Sequence, residues 1–166
     1  VYAVEAGLNP VKINMVILRS INDDEIWDMI DFASNENVTL QLIELENLGN
    51  AKDFYGNYYL NLNKVEGELK LRANNVEVRK LHNRTVYHLG EKKIKVELVR
   101  PFHNSDFCMN CTRLRVTASG KFKPCLMLSD NYVDIISYIR RGVSNEGLNE
   151  VLMKAVTLRK PYFLLK

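Results

Sequence analysis

The sequence predicts a mixed α/β fold: a parallel βαβ unit near the start, short antiparallel strands in the middle and helices at the end. Three observations carry this. Runs of branched apolar residues at 11–18 and 39–44 read as strands, an amphipathic stretch begins at residue 22, and the links between them are short. Strand, helix and strand in so few residues form a parallel pair.

In the first run Val11, Ile13, Met15 and Ile17 alternate with Lys12, Asn14, Val16 and Leu18. One face is thus apolar, while the other carries a lysine and an asparagine that call for a wet cavity or an edge position. Asn22-Asp23-Asp24-Glu25 has the form of a capping box, and its acids suit a positive helix end. The helix is predicted to reach Phe32 or Ala33, with Ile26, Met29, Ile30 and Ala33 as its apolar stripe. Thr39–Glu44 is the second strand, and Leu45–Tyr59, rich in aromatics, is predicted to be irregular. Long loops after parallel strands are where such folds place ligand contacts, although packing explains Phe54–Tyr59 better than base stacking does.

Leu60–Asn74 is predicted helical despite Gly67. Val76–Arg79, Thr85–Leu89 and Ile94–Val99 read as short strands, expected to be antiparallel and added beside the parallel unit. Arg113–Thr117 and Lys121–Lys123 read as a hairpin around Ser119-Gly120, and Tyr132–Arg141 and Asn145–Lys160 as closing helices, the last ended by Pro161. The expected division places the βα units in residues 1–75 and a substrate-side extension in 76–166.

With 46% hydrophobic and 26% charged residues the composition is that of a globular chain. A net charge of +3 gives no reason to invoke DNA, RNA or an anionic membrane. No apolar run approaches the roughly 18–20 residues of a membrane span. The first residues lack the features of a signal peptide, and the absence of an initiator methionine suggests a start inside a longer protein.

All 3 cysteines, Cys108, Cys111 and Cys125, fall within one short segment. An odd, closely spaced set argues against a secreted disulfide framework and for a cytoplasmic thiolate site. The hairpin folds Cys125 back toward the Cys-x-x-Cys pair. Three soft ligands suit zinc, with His103 as the nearest fourth ligand, or an iron–sulfur cluster with one iron open to another ligand. Buried cysteines that ligate nothing are the alternative. His82, His88 and His103 carry no motif and read as ordinary polar surface residues.

The segment from Phe107-Cys108-Met109-Asn110-Cys111-Thr112-Arg113-Leu114-Arg115 to Ser119-Gly120-Lys121-Phe122-Lys123-Pro124-Cys125-Leu126 resembles the C-terminal cluster motif of the GTP 3′,8-cyclases, radical-SAM enzymes of molybdopterin synthesis. Val11-Lys12-Ile13-Asn14, Ser20-Ile21-Asn22-Asp23-Asp24-Glu25 and Leu42-Ile43-Glu44 resemble the same family's mid-barrel segments. The resemblance implies the latter part of an incomplete TIM-type barrel of parallel βα units, plus a C-terminal extension with antiparallel strands and terminal helices. It implies that Cys108, Cys111 and Cys125 hold an auxiliary 4Fe–4S cluster whose open iron meets the purine of GTP. It also implies that Arg113, Arg115 and Lys12 contact the substrate, chemically sensible partners for phosphate oxygens. Glu44, at the end of its strand, is assigned to the cofactor side, with pairing to a nearby lysine as the competing role; Asn14 is open in the same way.

The N-terminal Cys-x-x-x-Cys-x-x-Cys motif of radical-SAM enzymes is absent, as is the family's C-terminal Gly-Gly. The second 4Fe–4S cluster and SAM are therefore expected to belong to a missing N-terminal half, and this chain alone to be inactive. An unpaired parallel edge on a partial barrel suggests a homodimer. Two other functions compete: another radical-SAM protein with an auxiliary cluster, and a non-enzymatic zinc-binding module.

Overall fold

The computed structural model describes residues 2–47, 52–101 and 104–160. The chain forms two compact units, Val1–Asn110 and Cys111–Lys166.

In the first unit a short helix α1 (Tyr2–Glu5) precedes β1 (Lys12–Ile17), α2 (Ile26–Asn35) and β2 (Thr39–Glu44), the predicted βαβ unit. Then come α3 (Lys52–Tyr58), α4 (Asn63–Arg72), β3 (Asn75–Arg79), β4 (Arg84–Leu89), β5 (Ile94–Val99) and α5 (Ser105–Met109). One five-stranded sheet has the order β1-β2-β5-β4-β3. β1, β2 and β5 run parallel, and β4 and β3 continue the sheet antiparallel. The sheet is mixed and open, with β1 and β3 at its edges, as expected for the later part of an incomplete barrel.

Several expectations need correction. Lys52–Tyr58, within the stretch expected to be irregular, forms the helix α3. Ile94–Val99 was expected to be an antiparallel addition, yet β5 pairs parallel with β2 and so belongs to the βα core. The capping box does not form either. Asn22 turns back to β1, accepting from the Leu18 N–H at 2.8 Å and donating to the Val16 carbonyl at 3.0 Å. α2 consequently starts at Ile26 with no side-chain cap. Its stripe is as predicted, with Ile26, Ile30 and Ala33 buried and Met29 against them.

The two sheet faces differ in chemistry. Ile17, Leu40, Leu42, Val96, Leu98 and Tyr87 pack with α2 and with Leu62 and Leu69 at α4 in the main core. On the opposite face the register sets Asn14 beside Gln41, Gln41 beside Glu97, Glu97 beside Val86, and Arg79 beside Arg84. Strand alternation adds Lys12 to that row. The lysine and asparagine of the first strand thus share a face with Gln41, Glu97, Arg84 and Arg79.

The second unit contains β6 (Arg115–Val116), β7 (Lys121–Lys123), β8 (Val133–Asp134), α6 (Ile136–Arg140) and α7 (Asn145–Thr157). The strands form an antiparallel sheet in that order. Residues 133–134, expected to be helical, instead pair with β7, which shortens the helix after them. Gly120 closes the β6–β7 turn at φ +71°, and a Cβ there would lie 2.5 Å from the Ile136 Cβ. Both conformation and space require glycine at this turn. α7 starts at Ser144, whose hydroxyl accepts from the Gly147 N–H, and buries Val151 and Ala155 against Val133 and Ile135. Pro161 lies outside the described residues. Among the described residues no helix is long and apolar enough to cross a membrane.

Candidate functional site

The polar face of the first unit centres on Glu97, which is 2% exposed. Lys12 Nζ and Arg79 Nη1 each lie 2.5 Å from its Oε1, and Arg84 Nη1 lies 3.3 Å from Oε2. The Gln41 side-chain amide also donates to Oε2. Burial pushes the Glu97 carboxyl up, but hydrogen bonds from Lys12, Gln41 and Arg79 outweigh it and hold the group below the usual carboxylate range. Three cations around one carboxylate leave this face positive, and an anion is the partner such a face attracts. The Lys12 and Arg79 side chains keep 25% and 39% of their surface open, so both reach solvent while still paired.

Glu44 ends β2 on the side of α4. It is 5% exposed and accepts from the Leu62 N–H at 3.0 Å and the Tyr59 hydroxyl at 3.4 Å. Its cation is Arg100, with Nε at 3.1 Å, rather than the lysine considered in the sequence. The Arg100 Nη1 also donates to Glu66 at 2.7 Å, and Glu66 accepts from the Tyr87 hydroxyl at 2.7 Å. Burial opposes ionisation of Glu66, yet Tyr87, Lys70 and Arg100 pull its pKa from 4.5 to about 2. A depressed carboxyl stabilises the fold above its unfolded pKa and loses that contribution as pH falls through the folded value. Stability should therefore decline between pH 4.5 and about 2, and Glu66→Gln should flatten part of that acid limb in urea unfolding measured across this range.

Cys108 lies on α5. The Asn104 side chain caps this helix, accepting from the Phe107 N–H at 3.0 Å, while its Nδ2 donates to the Arg100 carbonyl at 2.9 Å. His82, in a 3-10 turn over Leu81–Asn83, stacks on Phe107 with ring centroids 3.9 Å apart and planes 15° apart. It is 2% exposed, which corrects its reading as a polar surface residue. His88 is half-buried, with Nε2 3.4 Å from Glu77 Oε1, and His103 lies outside the described residues. A pocket of about 90 Å³ is lined by Arg84, Thr85, Arg100, Asn104 and Phe107 among others. The aromatics expected to pack in a loop instead pair four residues apart along α3 and just past its end, Phe54 with Tyr58 and Tyr55 with Tyr59.

Cys111 and Cys125 belong to the second unit. Arg159 holds the chain after Cys111 by donating to the Cys111 carbonyl and, at 2.9 Å, to the Arg113 carbonyl. Leu114 packs into the small core, and Cys125 follows the fully buried Pro124. Arg113 is exposed and precedes β6, which begins at Arg115 rather than at Arg113 as expected. All three cysteines are half-buried. Among the described residues no group of three or more His, Cys, Asp or Glu side chains is gathered to hold a metal ion. The chemistry of the donor set, three soft thiols in one segment with no carboxylate among them, nonetheless fits a soft metal centre.

Sequence reasoning missed Glu97, Arg79, Arg84, Gln41 and His82. Only Glu97 left a signal, a carboxylate inside the apolar run Ile94–Val99.

Comparison with known proteins gives a consistent result. The family described as Molybdenum Cofactor Synthesis C matches residues 38–165. A "Probable GTP 3′,8-cyclase" of Pyrococcus abyssi is 44% identical over 159 residues, covering 93% of this chain and 52% of that protein. Proteins of the same name from Methanothermobacter marburgensis and Methanosarcina acetivorans are 45% and 46% identical, covering 97% and 98% of this chain and 52% and 46% of theirs. The chain spans about half the length of the curated relatives it matches.

Proposed function

The chain belongs to the Molybdenum Cofactor Synthesis C family, and from that premise we propose that it is the substrate-side part of a GTP 3′,8-cyclase. The observation that supports this most is the cysteine segment itself, which lies wholly within the matched region, with Arg113 and Arg115 inside it. Cys108, Cys111 and Cys125 would hold an auxiliary 4Fe–4S cluster. Bound there, the cluster would supply one iron without a protein ligand, an open coordination position for the substrate base.

The chain's own residues bind and orient. Arg113 and Arg115 present guanidinium forks suited to phosphate oxygens, and Lys12 a compact charge that can leave Glu97 for a more highly charged anion. Glu97 keeps Lys12, Arg79 and Arg84 gathered when no anion is present. Such preorganisation lowers the cost of orienting a flexible polyphosphate. Glu44 is committed to Leu62, Tyr59 and Arg100, so any contact it makes with a cofactor is made from within that network. The SAM-derived radical and the cluster that generates it would come from the half of the longer relatives that this chain lacks.

Equilibrium dialysis of labelled GTP against anaerobically reconstituted protein tests the reading. Binding that disappears when the cysteines are alkylated before reconstitution is the expected result. Equal binding with and without the thiols would contradict it. Uptake of zinc with no nucleotide binding would favour the zinc-module alternative.

A further inference from the structure

We propose that His82 is a positioning residue for Cys108, holding in place the short helix that presents the first thiol of the cysteine segment; the proposal rests on the reading of Cys108 as a cluster ligand. α5 has five residues, far below the roughly 12–15 at which an isolated helix becomes stable in water. Its geometry must therefore come from what grips it. Asn104 grips the start through the Phe107 N–H. The Leu81–Asn83 turn grips the end, where the His82 N–H donates to the Asn110 carbonyl at 2.9 Å. Between these points the His82 ring lies flat on Phe107.

Phe107 immediately precedes Cys108, and successive helical side chains project about 100° apart. Pinning Phe107 therefore helps set the rotation of α5 about its axis, and with it the direction of the Cys108 Cα–Cβ bond that carries the thiol. The turn that delivers the imidazole is itself unusual. His82 and Asn83 both take left-handed conformations, with φ of 64° and 50°. Consecutive non-glycine residues in this region are sparsely populated and persist where the surroundings hold them. Burial of His82 to 2% exposure supplies that hold.

The test uses His82→Ala and His82→Phe, the second keeping an aromatic ring on Phe107. Three quantities are read on each: iodoacetamide alkylation rates of Cys108 and Cys125 in metal-free protein by mass spectrometry, iron and sulfide content after anaerobic reconstitution, and thermal unfolding. His82→Ala is expected to raise the Cys108 rate about fivefold, to leave Cys125 unchanged and to bind less than half the wild-type iron. His82→Phe is expected to match wild type in Cys108 alkylation rate and in iron content, with a lower unfolding temperature because phenylalanine suits the left-handed backbone less well than histidine. Wild-type Cys108 reactivity and iron content in His82→Ala, below its unfolding temperature, would overturn the proposal, as would equal failure of both variants. Should His82→Ala not fold, Phe107→Ala removes the stack with the turn intact, and an unchanged Cys108 rate there overturns the proposal equally. If wild type takes up no iron–sulfur cluster while the alkylation contrast persists, the functional reading fails and the positioning role stands.

Discussion

Replacing Glu97 with alanine is expected to destabilise the protein by about 3 kcal/mol, close to the cost of breaking a buried ion pair from one side. The carboxylate is 2% exposed and meets Lys12, Arg79, Arg84 and Gln41. Lys12 and Arg79 can turn to water when it is removed, but the Arg84 side chain is only 6% exposed and cannot. A guanidinium deprived of its carboxylate at that depth dominates the loss. Arg79→Ala should cost about 1 kcal/mol or less, because that side chain is 39% exposed and its ion pair is partly screened. Urea denaturation midpoints of the two variants, taken at neutral pH, separate the cases. Equal, small losses would mean that Glu97 is solvated in solution and does not organise the polar face.

Replacing Arg113 and Arg115 together with alanine should weaken GTP binding about 10–100-fold, as expected when one or two charge-assisted hydrogen bonds to phosphate disappear. The loss should be much smaller for guanosine, which has no phosphate for the guanidinium groups to hold. Lys12→Ala should lower GTP affinity by a smaller factor, about 5–10-fold, since Arg79 and Arg84 remain on the same face. Calorimetric titration of GTP, GDP and guanosine against each variant gives the comparison. An equal loss for guanosine and GTP would move the arginines from phosphate recognition to support of the cysteine segment, where the Arg113 carbonyl is already bonded to Arg159.

Much of this architecture was legible in local sequence patterns. Alternation in residues 11–18 announced both the strand and its two unlike faces, and the stripe Ile26, Ile30, Ala33 gave the helix that covers one of them. Ser119-Gly120 announced its hairpin because few residues can occupy φ +71°. What local patterns could not convey was the pairing of distant segments. Lys12 and Gln41 meet Glu97 from 85 and 56 residues away, so the network depends on a register that no local periodicity contains. The parallel placement of β5 was hidden for the same reason. Asn22 misled because its side chain had two local alternatives, a helix start ahead and a strand end behind, and it bonds to the strand end. His82 carried no motif, since its burial follows from a turn and an aromatic partner 25 residues along the sequence.

The cysteine segment stands apart. Its spacing and its arginines were plain in the sequence because they are purely local features, three thiols and two guanidinium groups within one short segment. The most direct measurement is the iron, acid-labile sulfide and zinc content of protein purified and reconstituted without oxygen, beside a Cys125→Ala control. The account predicts about four irons and four sulfides per chain, with most of both lost in the control. One zinc per chain with no sulfide would contradict it.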